Sequence, residues 1–110
     1  MFTAINRFRA ENGIEPIKYS DNLVNHYCKL HCLDMARNHD IYHAPECYLD
    51  GWSEAVAITQ YSDNWSDKIV FDVLGSSENH RNILLHNSKI SCAEHVDNWM
   101  VYVTIRGRND

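Results

Sequence analysis

Two short stretches of this chain carry side chains able to do chemistry. In "GSSENHRNILL", Gly75 to Leu85, His80 and Arg81 stand between a polar turn and an apolar run. In "IYHAPECYLDGWSEAVA", His43 and Glu54 flank a loop marked by Pro45 and Gly51. If these segments converge, two imidazoles meet a carboxylate. Such a set can ligate a divalent cation, activate a water, or simply hydrogen-bond as a network that ties loops to a core. The local readings are plainer: His80 starts a helix, and Glu54 occupies the first turn of another, where the helix dipole favours a carboxylate.

Other groups compete with that set. Cys28 and Cys32 stand four apart on an expected helix with His31 between them, and His39 and His43 are also four apart. Both cysteines read as small buried residues, since a free thiol behaves as a small hydrophobe. His39 reads as a solvated helix-end imidazole. Cys28, Cys32, Cys47 and Cys92 allow three pairings in an oxidising compartment, but their spacing suggests no compact disulfide framework. Ser76, Ser77 and Cys47 lie in no nucleophile-elbow or Cys-His context, which weighs against an independent covalent catalyst.

The elements that must position these residues are short. A chain of 110 residues, 45% hydrophobic and 23% charged, is expected to form one domain over residues 1–110. Ten basic against fifteen acidic side chains give a net charge of −5 without a basic stripe, which excludes a nucleic-acid partner on electrostatic grounds. Protonation of all seven histidines would carry that charge to +2, so mild acid reverses its sign. No apolar run reaches the roughly 18 to 20 residues of a membrane span, and "MFTAINRFRA" lacks the apolar core of a signal peptide. The chain reads equally as a protein made without an export signal and as a mature form from which one has been removed.

Phe2, Ile5 and Phe8 predict a first helix that stops before Gly13. Ser20 or Asp21 caps a second, over about 21–38, with Leu23, Tyr27, Leu30 and Met35 on its apolar face. Residues 39–52 read as an ordered loop, and a short helix is expected from Ser53. Ser66 is placed to cap "DKIVFDVL", which ends at Gly75, before a short helix or turn at "HRNILL". The last third changes period: "KISCAEHV" and "WMVYVTIR" read as two strands joined at Asp97-Asn98, whose types tolerate positive φ. Helices followed by an antiparallel pair make an α+β domain.

In order, "INRFRAENGIEPIKYSDNL", "KLHCLDMA", "IYHAP", "SEAVA" and "SSENHRNILL" resemble the SCP-like domains of the CAP superfamily, the cysteine-rich secretory, antigen-5 and pathogenesis-related proteins, in their bacterial short form. The resemblance spans nearly the whole chain. It implies a three-layer α-β-α sandwich with a small central antiparallel sheet, and a secreted or extracytoplasmic location. It places the family's cleft residues on His43, Glu54 and His80. A fourth cleft residue, a glutamate in many members, has no counterpart here; Asp67 and Asp72 are the acids nearby. Ala55 stands where the family commonly has Asn, and Thr104 or Ile105 near a usual Gln.

Three readings of that cleft follow. It binds zinc, another divalent cation or a small polar ligand through His43, Glu54 and His80; or a bound metal activates water with Glu54 as general base; or the three residues form a structural network without metal. A protein, a lipid or a small molecule is the expected class of partner, with no transmembrane segment involved. The first reading, without catalysis, is the one expected.

Overall fold

A computed structural model describes residues 1–46 and 51–109; Cys47 and the middle of the expected 39–52 loop lie outside the described residues. Along the chain run α1 (Phe2–Glu11), α2 (Asn22–Asn38) and β1 (Ser53–Gln60). A helix called α3 begins at Trp65–Asp67 and continues with π-type spacing over Lys68–Leu74. Then come α4 (Glu78–Leu85), β2 (Lys89–Asp97) and β3 (Met100–Arg108). The strands form one antiparallel sheet in the order β1-β3-β2.

Strand alternation divides the hydrophobic residues between two layers. Val101, Val103 and Ile105 of β3, with Ala55, Ala57, Ile90 and Cys92, pack against Ile5 and Phe8 of α1, Ile69, Val70 and Leu74 of α3, and Leu84 of α4. On the other face Tyr102, Val56 and Ile58 meet Cys32, Met35 and Ala36 of α2. The domain is therefore the α+β, three-layer α-β-α sandwich with a small antiparallel sheet that the sequence led us to expect.

Besides the β2-β3 turn, which falls at Asn98-Trp99 rather than at Asp97-Asn98 because Asp97 still pairs with Met100, three local expectations are corrected. Ser53–Gln60 is a strand, not a short helix. Both of its faces are covered, so Ala55 and Ala57 point to one core while Val56 and Ile58 point to the other, and no apolar-polar alternation marks it. The buried stripe of α2 is Cys28, His31, Cys32, Met35 and Ala36, whereas Leu23, Tyr27 and Leu30 are exposed. Small thiol side chains let the helix approach the sheet closely: Cys32 Sγ lies 3.2 Å from Thr104 Oγ1, and Cys28 Sγ 3.9 Å from the Ser91 carbonyl. The third correction concerns α3, which starts at Trp65 after Asn64, so Ser66 is not its cap. It ends at Gly75, where a Cβ would stand 2.8 Å from the Phe71 and Val70 carbonyls, and the Gly75 amide reaches back five residues to Val70.

Other caps fall where local chemistry puts them. Asp21 Oδ1 accepts from the Leu23 and Val24 amides at 2.9 and 3.1 Å and starts α2. His39 ends it in the left-handed region, exposed, at φ 51°. The outer edge of β2 is partly capped: the Ile90 amide donates to the Tyr19 carbonyl and the Cys92 amide to Asn25 Oδ1.

Arg9 joins the two ends of the helical layer. It is only 4% exposed, and burial lowers its pKa. Its guanidinium donates to the carbonyls of Glu15, Leu84 and Asn87 at 2.7, 2.7 and 2.9 Å, fixing the C-terminal end of α4. Arg9→Met should therefore lower stability by about 2 to 4 kcal/mol, because three carbonyls lose a charged donor; urea unfolding measures it. A loss under about 0.5 kcal/mol would show that water replaces the guanidinium.

Cys28, Cys32 and Cys92 are free and buried. Burial raises Cys32 to about 11 and Cys92 to about 12, and lifts Cys28 as well. These raised values mean the folded state holds protons that the unfolded chain releases. The stabilisation is complete below the ordinary thiol range and is lost as pH climbs toward 11 to 12. In a Cys47→Ser background at pH 8, iodoacetamide should modify the three thiols only at the rate of unfolding, as read by mass spectrometry. Modification within minutes under native conditions would contradict their burial.

Candidate functional site

The loop before β1 is tied to α2 by an aromatic anchor. His31 Nε2 lies 2.6 Å from the Tyr42 carbonyl, and the two rings meet edge to face at 5.3 Å and 88°. The Tyr42 hydroxyl donates to Asp34 and accepts from Asn38 Nδ2 at 2.8 Å. With Tyr42 held at both backbone and ring, His43 and Ala44 follow in a fixed place over the start of β1.

There Glu54 is the centre of a hydrogen-bond cluster. Its side chain is fully buried, and its Cα partner across the β1-β3 ladder is Arg106. Arg106 Nε donates to Glu54 Oε2 at 2.9 Å, with Arg106 only 3% exposed. On the other oxygen, the Ala44 amide donates to Oε1 at 2.9 Å, and His43 Nδ1 lies 3.0 Å from the same atom. The second arm of the guanidinium stands 3.6 Å from Glu46 at the surface. Both carboxylate oxygens are thus engaged, and a cation already lies against one of them.

A polar cavity of about 470 Å³ opens beside this cluster. Its wall takes His43, Ser53 and Glu54 from the loop and β1, and Asn79, Asn82, Ile83 and His86 from α4 and its end. Residues 79, 82, 83 and 86 recur at three- and four-residue steps, so one stripe of α4 faces the cavity. Asn87 and Asn109 close the far side. Gly107 makes room there, since a Cβ on it would lie 2.5 Å from Asn87 Nδ2. Asn87 Nδ2 is held by the Ile83 carbonyl, and Asn109 Nδ2 by that of His86. Asn79, Asn82, His43 and His86 are exposed and present amide and imidazole groups to the opening.

Of the residues expected at the site, the structure brings His43 and Glu54 into contact. His80 is half-buried on α4, one residue and so about 100° round the helix from Asn79, and does not line this cavity. Among the described residues no group of three or more His, Cys, Asp or Glu side chains gathers to hold a metal ion. Asp67 pairs with Arg7 at 3.0 Å, and neither it nor Asp72 lines the cavity. The histidine that the α4 segment turns to the cavity, beside His43 of the loop, is His86, which sequence reasoning missed; its signal was its place seven residues after Asn79. Arg106 was also missed, taken only as the last residue of the β-rich run "WMVYVTIR".

The fold has a counterpart among solved structures. A cysteine-rich secretory protein from Staphylococcus aureus subsp. aureus Mu50 superposes with a TM-score of 0.55 at 15% identity over 97% of this chain, which spans 36% of that protein's length. No curated protein matches the sequence. The profile of the cysteine-rich secretory protein family, CAP, matches residues 2–102, so that order of helices, loop and sheet has a name: the chain belongs to the CAP family.

Proposed function

We propose that this is a non-catalytic binding domain acting outside the cytoplasm, whose cavity between β1 and α4 takes a small polar ligand. The extracytoplasmic location rests on the secretory character of the family. No helix among the described residues is long and apolar enough to cross a membrane.

The state of Glu54 carries the reading. A zinc ligand or general base must offer a lone pair to the metal or the proton it takes. Glu54 accepts from Arg106 Nε and the Ala44 amide, lies at hydrogen-bond distance from His43 Nδ1, and is fully buried beside a guanidinium that repels a second cation. The donor set does not fit a divalent cation at Glu54, and no step is routed through one. What this carboxylate can do is orient His43 and anchor the cavity wall. Recognition then falls to the exposed groups: the carboxamides of Asn79 and Asn82 and the imidazoles of His43 and His86. Carboxamides offer donors and acceptors together, which suits an uncharged ligand rich in hydrogen-bonding groups.

Titration of isotope-labelled protein with small amides and with N-acetylated amino-acid and dipeptide amides, which carry no charge, checks this. We expect saturable shifts of the Asn79 and Asn82 side-chain amide signals, weakened at least about tenfold, or 1.4 kcal/mol, in His86→Ala and Asn82→Ala. Zinc chloride should bind no more tightly to wild type than to His43→Ala or His80→Ala by calorimetry. Tight zinc binding abolished by both substitutions, or ester or casein turnover abolished by His43→Ala, would establish the metal or hydrolase reading instead.

The role given to Glu54 has its own check. Glu54→Leu and Arg106→Met should each cost roughly 3 to 5 kcal/mol by leaving a buried charge or donor unmatched. The double substitution should cost much less than their sum. Additive losses in urea unfolding would show that the two side chains act separately.

A further inference from the structure

At the end of the sheet away from the first cavity, about 20 Å along β1 from Glu54, the β2-β3 hairpin borders a second cavity. Its two loop residues, Asn98 and Trp99, have φ of 50° and 65°. A two-residue turn with both φ positive prefers Asn followed by Gly, and Asn98 fits the first place. Trp99 occupies the second, where a bulky side chain is strained. The indole gains nothing from the core in return, because Trp99 is 70% exposed. Strain at an exposed aromatic points to a use for the ring outside the fold.

The surroundings say what kind of use. The Tyr61 amide donates to the Trp99 carbonyl at 2.7 Å, and the two rings stand 6.3 Å apart at 58°, like the walls of an open wedge. With Val96 and Asn98 they enclose about 330 Å³, and none of the four lining residues is charged. Asp63 and Asp97, exposed and close in sequence, disfavour phosphates and anionic lipid headgroups. The exposed parts of Tyr61, Val96 and Trp99 amount to roughly 300 to 400 Å², less than half of the roughly 800 Å² each partner contributes to a stable protein interface. A small ligand with an apolar face and a polar edge fits better. The geometry points to a subsite for a neutral pyranose: its C–H face stacks on the Trp99 indole, and its hydroxyls meet the Asn98 carboxamide and Tyr61 phenol.

The test follows the Trp99 indole N–H signal during titration of the whole chain with cellohexaose and chitohexaose to about 20 mM, well above the millimolar constants expected of one stacked ring. A saturable shift with either sugar is the expected result, with an affinity, read in both proteins from the Tyr61 and Asn98 backbone amides, that is weakened at least about tenfold in Trp99→Gly. Because glycine suits the turn, Trp99→Gly should melt at the same temperature or several degrees higher, which separates lost binding from lost folding. Should that variant fail to fold, Tyr61→Ala, which removes the other wall at an exposed position, should weaken binding in the same way. No shift with either sugar would overturn the inference, as would sugar shifts confined to Asn79 and Asn82. So would a Trp99 response to phosphatidylcholine vesicles alone, or self-association through the hairpin in sedimentation equilibrium.

Discussion

The buried pairing of Glu54 with Arg106 is the constraint on which the cavity end of this domain depends. Placing two charges where neither is more than 3% exposed costs several kcal/mol per ion in lost hydration. That cost is offset only when geometry is good and the remaining polar atoms are matched. The β1-β3 register supplies the geometry, since the two residues are Cα partners on one face of the sheet. The loop supplies the matching, through His43 and the Ala44 amide. The loop is therefore held to the sheet by electrostatics in a site of low dielectric and to α2 by the Tyr42 ring. On α4 the corresponding task falls to Arg9, which reaches from α1 to the carbonyls of Leu84 and Asn87. Two buried arginines, one on each side of the sheet's end, set the walls of one cavity.

Much of this fold was legible because amphipathic period and capping chemistry are local. The α1 stripe, the Asp21 cap and the alternation of Val101, Val103 and Ile105 against Tyr102 and Thr104 need no tertiary information. What was misread depended on neighbours. In "SEAVAITQ" both faces of the strand are covered, so period-2 polarity vanished, and a serine followed by an acid looked like a helix start. On α2 the large apolar residues drew the predicted face to Leu23, Tyr27 and Leu30, while close approach to the sheet selected cysteine, alanine and methionine. Side-chain size at a tight interface overrode hydrophobicity there.

The site was legible to a smaller degree. His43 and Glu54 were brought together by resemblance to a family rather than by spacing, and the structure places them in contact. The partner that decides what Glu54 can do lies 52 residues away, and nothing local to Arg106 announces an ion pair. For α4 the helical period itself held the information: Asn79, Asn82, Ile83 and His86 form one stripe, and His80 stands off its centre. The motif drew the eye to the first histidine, whereas the helix turned the second to the cavity.

The two ends of the sheet show opposite treatments of polarity. At the β1 start, a charged pair is removed from water and hydrogen-bonded to itself and to the loop. Beside it, the carboxamides of Asn79 and Asn82 and the imidazoles of His43 and His86 line the opening. At the hairpin, strain is accepted to keep an indole in solvent instead of in the core. Neither arrangement maximises stability: a buried ion pair is often replaceable by apolar residues of similar volume, and glycine suits the turn better than tryptophan. Such departures from the most stable choice concentrate where a fold meets something other than itself, and here they mark both ends of a three-stranded sheet whose middle is ordinary packed core.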